Sequence, residues 1–362
     1  MTPLPGYRVL VALALMACAP VGYAATFCVD TAAELRAAMT TASTNGADDV
    51  IRIKTGAYSG AHPVNATTAF LLGVQENFGL TLQGGWITRL ALDCGARLTD
   101  PTLTVLSGSN LRTVLLVIGI EGASGALAVE NLTLRDGNTA GRGAGLDLIG
   151  NYAGNVRIEY VHFFSNAAGS FAGGASISTG GIIEVRNNLF RFNTCSNRFC
   201  AAEFVGQTTS PSSIRTFFGN NTVVSNRCST GAPSCTGAGV GVYGPSRGVI
   251  FNNAFAFNDG FDVDVSTTAS NVDLLFNNVN EILGTPTNSI GNINFADPLF
   301  ENPLAPDYRL RFASPLRDAG TSNLVLGEVD YNGLPRINNG LVDIGAFEND
   351  DALFQNSFEN LQ

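Results

Sequence analysis

Val185-Arg-Asn-Asn-Leu-Phe-Arg-Phe-Asn193 decides the fold. It reads as an alternating strand, a tight turn at paired asparagines, a second apolar strand and a closing Asn. Phe218-Gly-Asn-Asn-Thr-Val-Val-Ser-Asn226 repeats it, and so does Phe251-Asn-Asn-Ala-Phe-Ala-Phe-Asn258, whose first slot is Ile250. Ile158-Glu-Tyr-Val-His-Phe-Phe-Ser-Asn166 and Val129-Glu-Asn-Leu-Thr-Leu-Arg-Asp136 are looser copies, and Leu275-Phe-Asn-Asn278 begins another. With the slot of Asn187 as marker, the copies stand at 130, 160, 187, 220, 252 and 277, at intervals of 30, 27, 33, 32 and 25 residues. Periods of that length mark a solenoid, in which each coil buries its apolar face against its neighbours.

Small residues leading into an alternating strand follow the copies: Gly143-Ala-Gly-Leu-Asp-Leu148, Gly173-Gly-Ala-Ser-Ile177, Ala201-Ala-Glu-Phe204 and Gly237-Ala-Gly-Val-Gly-Val242. Alternation places Ile183, Val185, Phe190, Phe192, Leu146, Leu148 and Val240 inside, with Glu184, Arg186 and Asp147 outside. Asn tolerates the left-handed turn conformation, and stacked Asn side chains can hydrogen-bond up and down a ladder. Upstream, Thr31-Ala-Ala-Glu34 is a capping box, followed by Ala32, Leu35, Ala38, Met39 and Ala42 at helical spacing up to Asn45-Gly46. Asp49-Val-Ile-Arg-Ile53 then alternates as a strand. The sequence predicts an all-β fold, a right-handed parallel β-helix (solenoid) with a short N-terminal capping helix that covers the open end.

Composition agrees. The 362 residues include 41 Gly, and charged residues are only 14%, well below the usual quarter. The net charge of −10 argues against a nucleic-acid partner, which needs a basic face. No transmembrane segment is legible. Residues 1–24 read as a signal peptide, with Arg8, an apolar run Val9 to Ala17 and small residues at Gly22-Tyr23-Ala24, which sets cleavage after Ala24. Leu15-Met16-Ala17-Cys18 offers the alternative of a lipoprotein acylated at Cys18. Either way six cysteines remain, an even number in an exported chain. Local spacing favours Cys195 with Cys200 and Cys228 with Cys235, leaving Cys28 with Cys94; zinc is the alternative.

From about residue 284 the repeat fades. The sequence divides into a β-helix with its N-terminal cap (25–283), a C-terminal cap region (284–349) and a loose tail (350–362). The coils resemble the bacterial right-handed β-helix proteins of the pectin-lyase-like superfamily. Asp297-Pro-Leu-Phe300, Ser314-Pro-Leu-Arg-Asp-Ala-Gly320 and Val342-Asp-Ile-Gly-Ala-Phe-Glu348 resemble the C-terminal region of choice-of-anchor surface and secreted proteins.

That resemblance implies an outward strand face carrying acidic groups and a base where such proteins act on polysaccharide. Asp147, Ser176, Glu203 and either Asp262 or Asp264 fall on corresponding outward positions, and Asp259, Asp262 and Asp264 are calcium candidates. Asp262, Asp264, Asp147 and Glu203 are thus the candidate catalytic residues. Arg142, Arg157 and Arg186 are candidate partners. Lys54, the one lysine, sits in the first coil, and His162 reads as a structural turn residue. No cofactor beyond calcium is implied. The sequence reads as an exported, non-catalytic β-helix, secreted or at the cell surface, that binds extracellular polysaccharide or a cell-surface glycan with Tyr152, Tyr160 and Tyr243 nearby. The alternatives are a polysaccharide lyase or glycoside hydrolase, and a purely structural envelope protein.

Overall fold

The computed structural model describes residues 24–88, 94–208, 213–245, 247–266, 271–324, 327–338 and 340–349. Residues 1–23 of the expected leader, the alternative at Cys18 and the tail 350–362 lie outside the described residues. The chain is all-β with a single α-helix among those residues, and its strands form long parallel sheets, as a parallel solenoid demands.

Each strand pairs with its counterpart one repeat away, so equivalent residues stack into columns. Ile51 faces Leu82, then Val129, Ile158, Val185, Phe218, Ile250 and Leu274. A second column runs Leu134, Phe163, Phe190, Val223, Phe255. A third, on the eight-stranded sheet, runs Leu72, Val117, Leu148, Ile177, Phe204, Val242. All three are buried and meet in one core. Because like residues stack, the Phe163 and Phe190 rings lie parallel, 4.5 Å between centroids, a pairing worth about 0.5–1.5 kcal/mol beyond its burial.

The corner between the first two columns is a single left-handed residue per coil: Asn131, Tyr160, Asn187, Asn220, Asn252 and Phe276, all with φ between 53° and 55°. The expected markers at 130 and 277 are each off by one, since Glu130 pairs with Glu159 and Asn277 lies one residue past the corner. The next residue builds a ladder. Asn188 Nδ2 donates to Asn221 Oδ1, Asn221 to Asn253, Asn253 to Asn277 and Asn277 to Asn292, at 2.9–3.0 Å. A second ladder links Asn166, Asn193, Asn226 and Asn258.

A second left-handed corner (Ser165, Phe192, Ser225, Phe257) resets the alternation. Phe192 therefore points outward and is 41% exposed, against the expectation that it lies inside. His162 is another correction. It lies within the strand Val156–Phe164, not in a turn, and is buried beside the Phe164 ring at 5.3 Å. Burial pushes its pKa down to about 3, with Arg191 and Arg135 adding to the effect, so the imidazole is neutral.

The helix Ala32–Ala42 starts on the expected capping box: Thr31 Oγ1 accepts from Glu34 N at 3.2 Å and Glu34 Oε2 from Thr31 N at 3.0 Å. It buries Leu35, Ala38, Met39 and Ala42 against the first strands. It ends before Asn45 because Ser43 takes the C-cap, its hydroxyl donating to Met39 O at 2.6 Å. Parallel pairing continues to Ile293–Asn294. The segment beyond folds back along the flank of the coils. There Leu189, Val224, Ala254 and Ala256 face outward and would meet water; Phe300, Tyr308, Leu310, Leu316, Tyr331, Ile344 and Phe347 cover them.

Three disulfides close the chain: Cys28–Cys94, Cys195–Cys200 and Cys228–Cys235. They suggest an extracellular or otherwise oxidising environment. Among the described residues no helix is long and apolar enough to cross a membrane.

Candidate functional site

Turns, glycine-rich before the first, second and fourth, lead into strands Leu146–Gly150, Ala175–Thr179, Ala202–Gly206, Val240–Tyr243 and Val263–Val265. Their inward residues fix the register, and the register fixes what faces out. Asp147 lies beside Ser176, Ser176 beside Glu203, Glu203 beside Gly241 and Gly241 beside Asp264. The glycine leaves room for the Phe199 ring, which a Cβ at position 241 would approach to 2.6 Å.

Of the two aspartates that could fill the last place, Asp264 holds it. Asp262 turns inward and is wholly buried. It accepts from Asn258 Nδ2 at 3.0 Å and from Asn280 N at 2.8 Å, ending the second asparagine ladder. Burial pushes its pKa up to about 6 against the pull of these donors. Asp259 accepts from Cys228 N at 3.1 Å, and Asp264 pairs with Arg198. The three calcium candidates are thus each directed to a different partner. Among the described residues, the group that gathers three metal-ligating atoms is Cys195, Cys200 and Cys235, whose sulfurs are in disulfides.

Two arginines border the strip. Arg142 Nη1 lies 3.5 Å from Glu203 Oε2, to which Ser176 Oγ also donates at 3.4 Å. Arg198 Nη1 lies 3.2 Å from Asp264 Oδ2. Aromatic rings interleave with them: Arg142 stands over Phe171 at 5.8 Å and Arg198 over Phe199 at 5.6 Å, and Phe199 meets Tyr243 edge-on at 5.0 Å. Sequence reasoning found Arg142 but missed Arg198, Phe171 and Phe199. No pattern in the sequence marks them: Arg142, Phe171 and Arg198 each directly precede a left-handed residue, Gly143, Ala172 or Phe199, and that conformation shows only in the structure.

Other expected groups lie elsewhere. Arg157 and Arg186 sit on the opposite sheet in an ion-pair chain with Glu130 and Glu159 at 2.6–2.8 Å. Lys54 pairs with Asp30 at 3.4 Å. Tyr152 is buried in the core, and the Tyr160 hydroxyl donates to Val329 O beneath the C-terminal segment. Tyr243 alone of the three tyrosines borders the strip.

Asp147 is the least satisfied member. Its Oδ1 is buried and has no partner. Burial pushes its pKa up to about 7; Arg142 opposes the shift and Glu203 adds to it. Burial also raises Glu203, opposed by Arg142 and the Ser176 hydroxyl. A carboxyl raised in the folded state favours the protonated form, so folding is least hindered below the unfolded value near 4 and loses stability as pH rises through 7. Asp147→Asn is therefore expected to leave stability unchanged at pH 4 and raise it by about 1–3 kcal/mol at pH 8. Urea titrations of both proteins at the two pH values measure this; an equal effect at both would show that Asp147 ionises as in water.

No protein-family model matches the chain, and no curated protein matches its sequence.

Proposed function

We propose that this chain is an exported right-handed parallel β-helix whose strip from Asp147 to Asp264 binds an extracellular polysaccharide or cell-surface glycan without cleaving it. One observation carries the reading: a single register brings Asp147, Ser176, Glu203 and Asp264 into line with aromatic and guanidinium groups beside them. Ser176, Glu203 and Asp264 are themselves buried, so a sugar chain laid across coils about 4.8 Å apart would meet the partly exposed Arg142, Arg198, Phe171 and Tyr243 that border the strip. Glu203 and Asp264 are already engaged by arginines, an arrangement suited to hydroxyl recognition more than to proton transfer. The likeness of the coils to the pectin-lyase-like superfamily, and of the C-terminal region to choice-of-anchor proteins, supports a secreted or cell-surface setting. In the same reading 1–24 is the leader, 25–283 the β-helix and 284–349 its C-terminal region, whose first residues, up to Asn294, still pair in parallel with the coils.

A second reading rests on Asp147. A carboxyl with a pKa near 7 is suited to general acid chemistry. Glu203, two coils away at roughly 10 Å, is near the separation of about 6.5–9.5 Å at which carboxyls admit a water for inverting glycoside hydrolysis.

A panel of acidic and neutral polysaccharides separates these readings. Binding without new reducing ends or unsaturated product is expected, and Arg142→Ala and Arg198→Ala should each weaken it about tenfold, roughly 1.4 kcal/mol. Turnover abolished by Asp147→Asn would replace binding by hydrolysis. Neither binding nor turnover would leave a structural envelope role.

A further inference from the structure

Asp49 opens the strand Asp49–Lys54 and is only 2% exposed. Its Oδ1 accepts from Ala25 N at 2.8 Å, while its Oδ2 is buried without a partner. Among the described residues no arginine, lysine or histidine forms an ion pair with it. A buried carboxylate with no counter-charge is costly, and one amide donor does not replace a cation. The position of Ala25 is nonetheless well fixed. Its carbonyl accepts from Val50 N at 2.9 Å, Thr26 pairs with Val50, and the Cys28–Cys94 disulfide holds the strand that follows. Ala24, one residue earlier, is exposed. Gly22 and Ala24 are the small residues that a leader peptidase accepts before its cut.

We infer that Ala25 is the mature N-terminus and that cleavage before it supplies the missing cation, converting a neutral amide donor into an ammonium paired with the buried Asp49 carboxylate. The inference rests on the reading of 1–24 as a cleaved leader. The bond broken is the Ala24 C–Ala25 N amide. One water supplies hydroxide to the Ala24 carbonyl carbon and a proton to the Ala25 nitrogen, under a leader endopeptidase of the export route. At neutral pH the new carboxylic acid ionises and the new amine is protonated, so no other reactant is consumed. The ammonium brings two further N–H donors to the carboxylate, enough to reach Oδ2 as well as Oδ1. Processing then stabilises the first strand of the solenoid and with it the edge on which the later coils stack.

The chain has one lysine, so the mature protein carries two amines, the Ala25 α-amine and Lys54, and labelling can be read at each. The exported protein is first weighed by mass spectrometry; a start other than Ala25 refutes the leader reading itself. Given an Ala25 start, acetylation by an N-hydroxysuccinimide ester should be about tenfold slower at the α-amine of the wild type than of Asp49→Asn. That is the effect of raising the amine pKa by about one unit, and Lys54 serves as the internal reference. In case Asp49→Asn does not fold, α-acetylated wild type is compared with unmodified wild type by thermal melting. A fall of several degrees is expected on acetylation. Equal labelling rates in the two folded proteins, or an unchanged melting temperature after acetylation, would overturn the ion pair while leaving the leader reading intact.

Discussion

Arg336→Ala is expected to destabilise the protein by about 3–5 kcal/mol, the range for breaking a buried ion pair by removing one partner. Arg336 is fully buried. Its Nη1 lies 2.7 Å from Glu348 Oε1 and donates to Gly345 O at 3.0 Å; its Nη2 donates to Ala346 O and to Asn187 Oδ1, both at 2.8 Å. One guanidinium thus ties two parts of the C-terminal segment to a corner asparagine of the coils. Glu348 also accepts from Asp343 N at 3.1 Å, but burial already presses its carboxyl toward the neutral form. Loss of Arg336 leaves it without its cation. Arg336→Lys should recover little, because an ammonium cannot reproduce the planar fork. Chemical denaturation measures the loss. Limited proteolysis should report new cuts between residues 314 and 349 before any in the coils, since that segment alone loses its clasp. Cuts first appearing in the coils would show that the segment does not depend on Arg336.

The second large effect belongs to the ladder. Asn221→Ala should cost about 3–5 kcal/mol, whereas the neighbouring Asn220→Gly should change stability by less than about 1 kcal/mol. Asn221 is fully buried. Its Oδ1 accepts from Asn188 N and Nδ2, and its Nδ2 donates to Val185 O and Asn253 Oδ1, all at 3.0 Å. Removing it strands several buried polar groups, at about 1–3 kcal/mol for each one left unsatisfied. Asn220 holds the corner at φ 55°, a conformation glycine adopts freely, and its side-chain amide has no hydrogen-bond partner. Urea denaturation midpoints compare the two variants. Equal losses would mean that the corner conformation, and not the ladder, sets the cost.

These adjacent asparagines show what the sequence could and could not reveal. The repeated Asn-Asn pair announced both a left-handed corner and a hydrogen-bonded ladder, and the structure contains both. Which asparagine takes which task depends on register between coils, and one residue of slip exchanges them. The same slip misplaced the markers at 130 and 277. The marker at 130 stops one residue short of Asn131, the asparagine that the copy Val129-Glu-Asn131 does carry, whereas at Phe276 the corner has no asparagine at all and composition gave no cue. Phe192 was misread because alternation holds only until a left-handed residue resets it. The candidate strip was legible where a single strand carried it, as at Asp147 and Glu203. Asp262 and Asp264 have identical spacing rules, and only the end of the second ladder, which draws Asp262 inward, separates them. Arg198 and the rings of Phe171 and Phe199 reach the strip from turns whose path no periodicity describes.

Hydrogen–deuterium exchange, with and without an oligosaccharide selected from the binding panel, tests most directly whether the strip is the binding face. Protection is expected in the turns that carry the arginines and rings, residues 140–144, 169–173 and 196–200, with no change in the strands around Glu130, Glu159 and Arg186 on the opposite sheet. A bound sugar that protects the opposite sheet, or leaves those three turns exchanging as in the free protein, would contradict it.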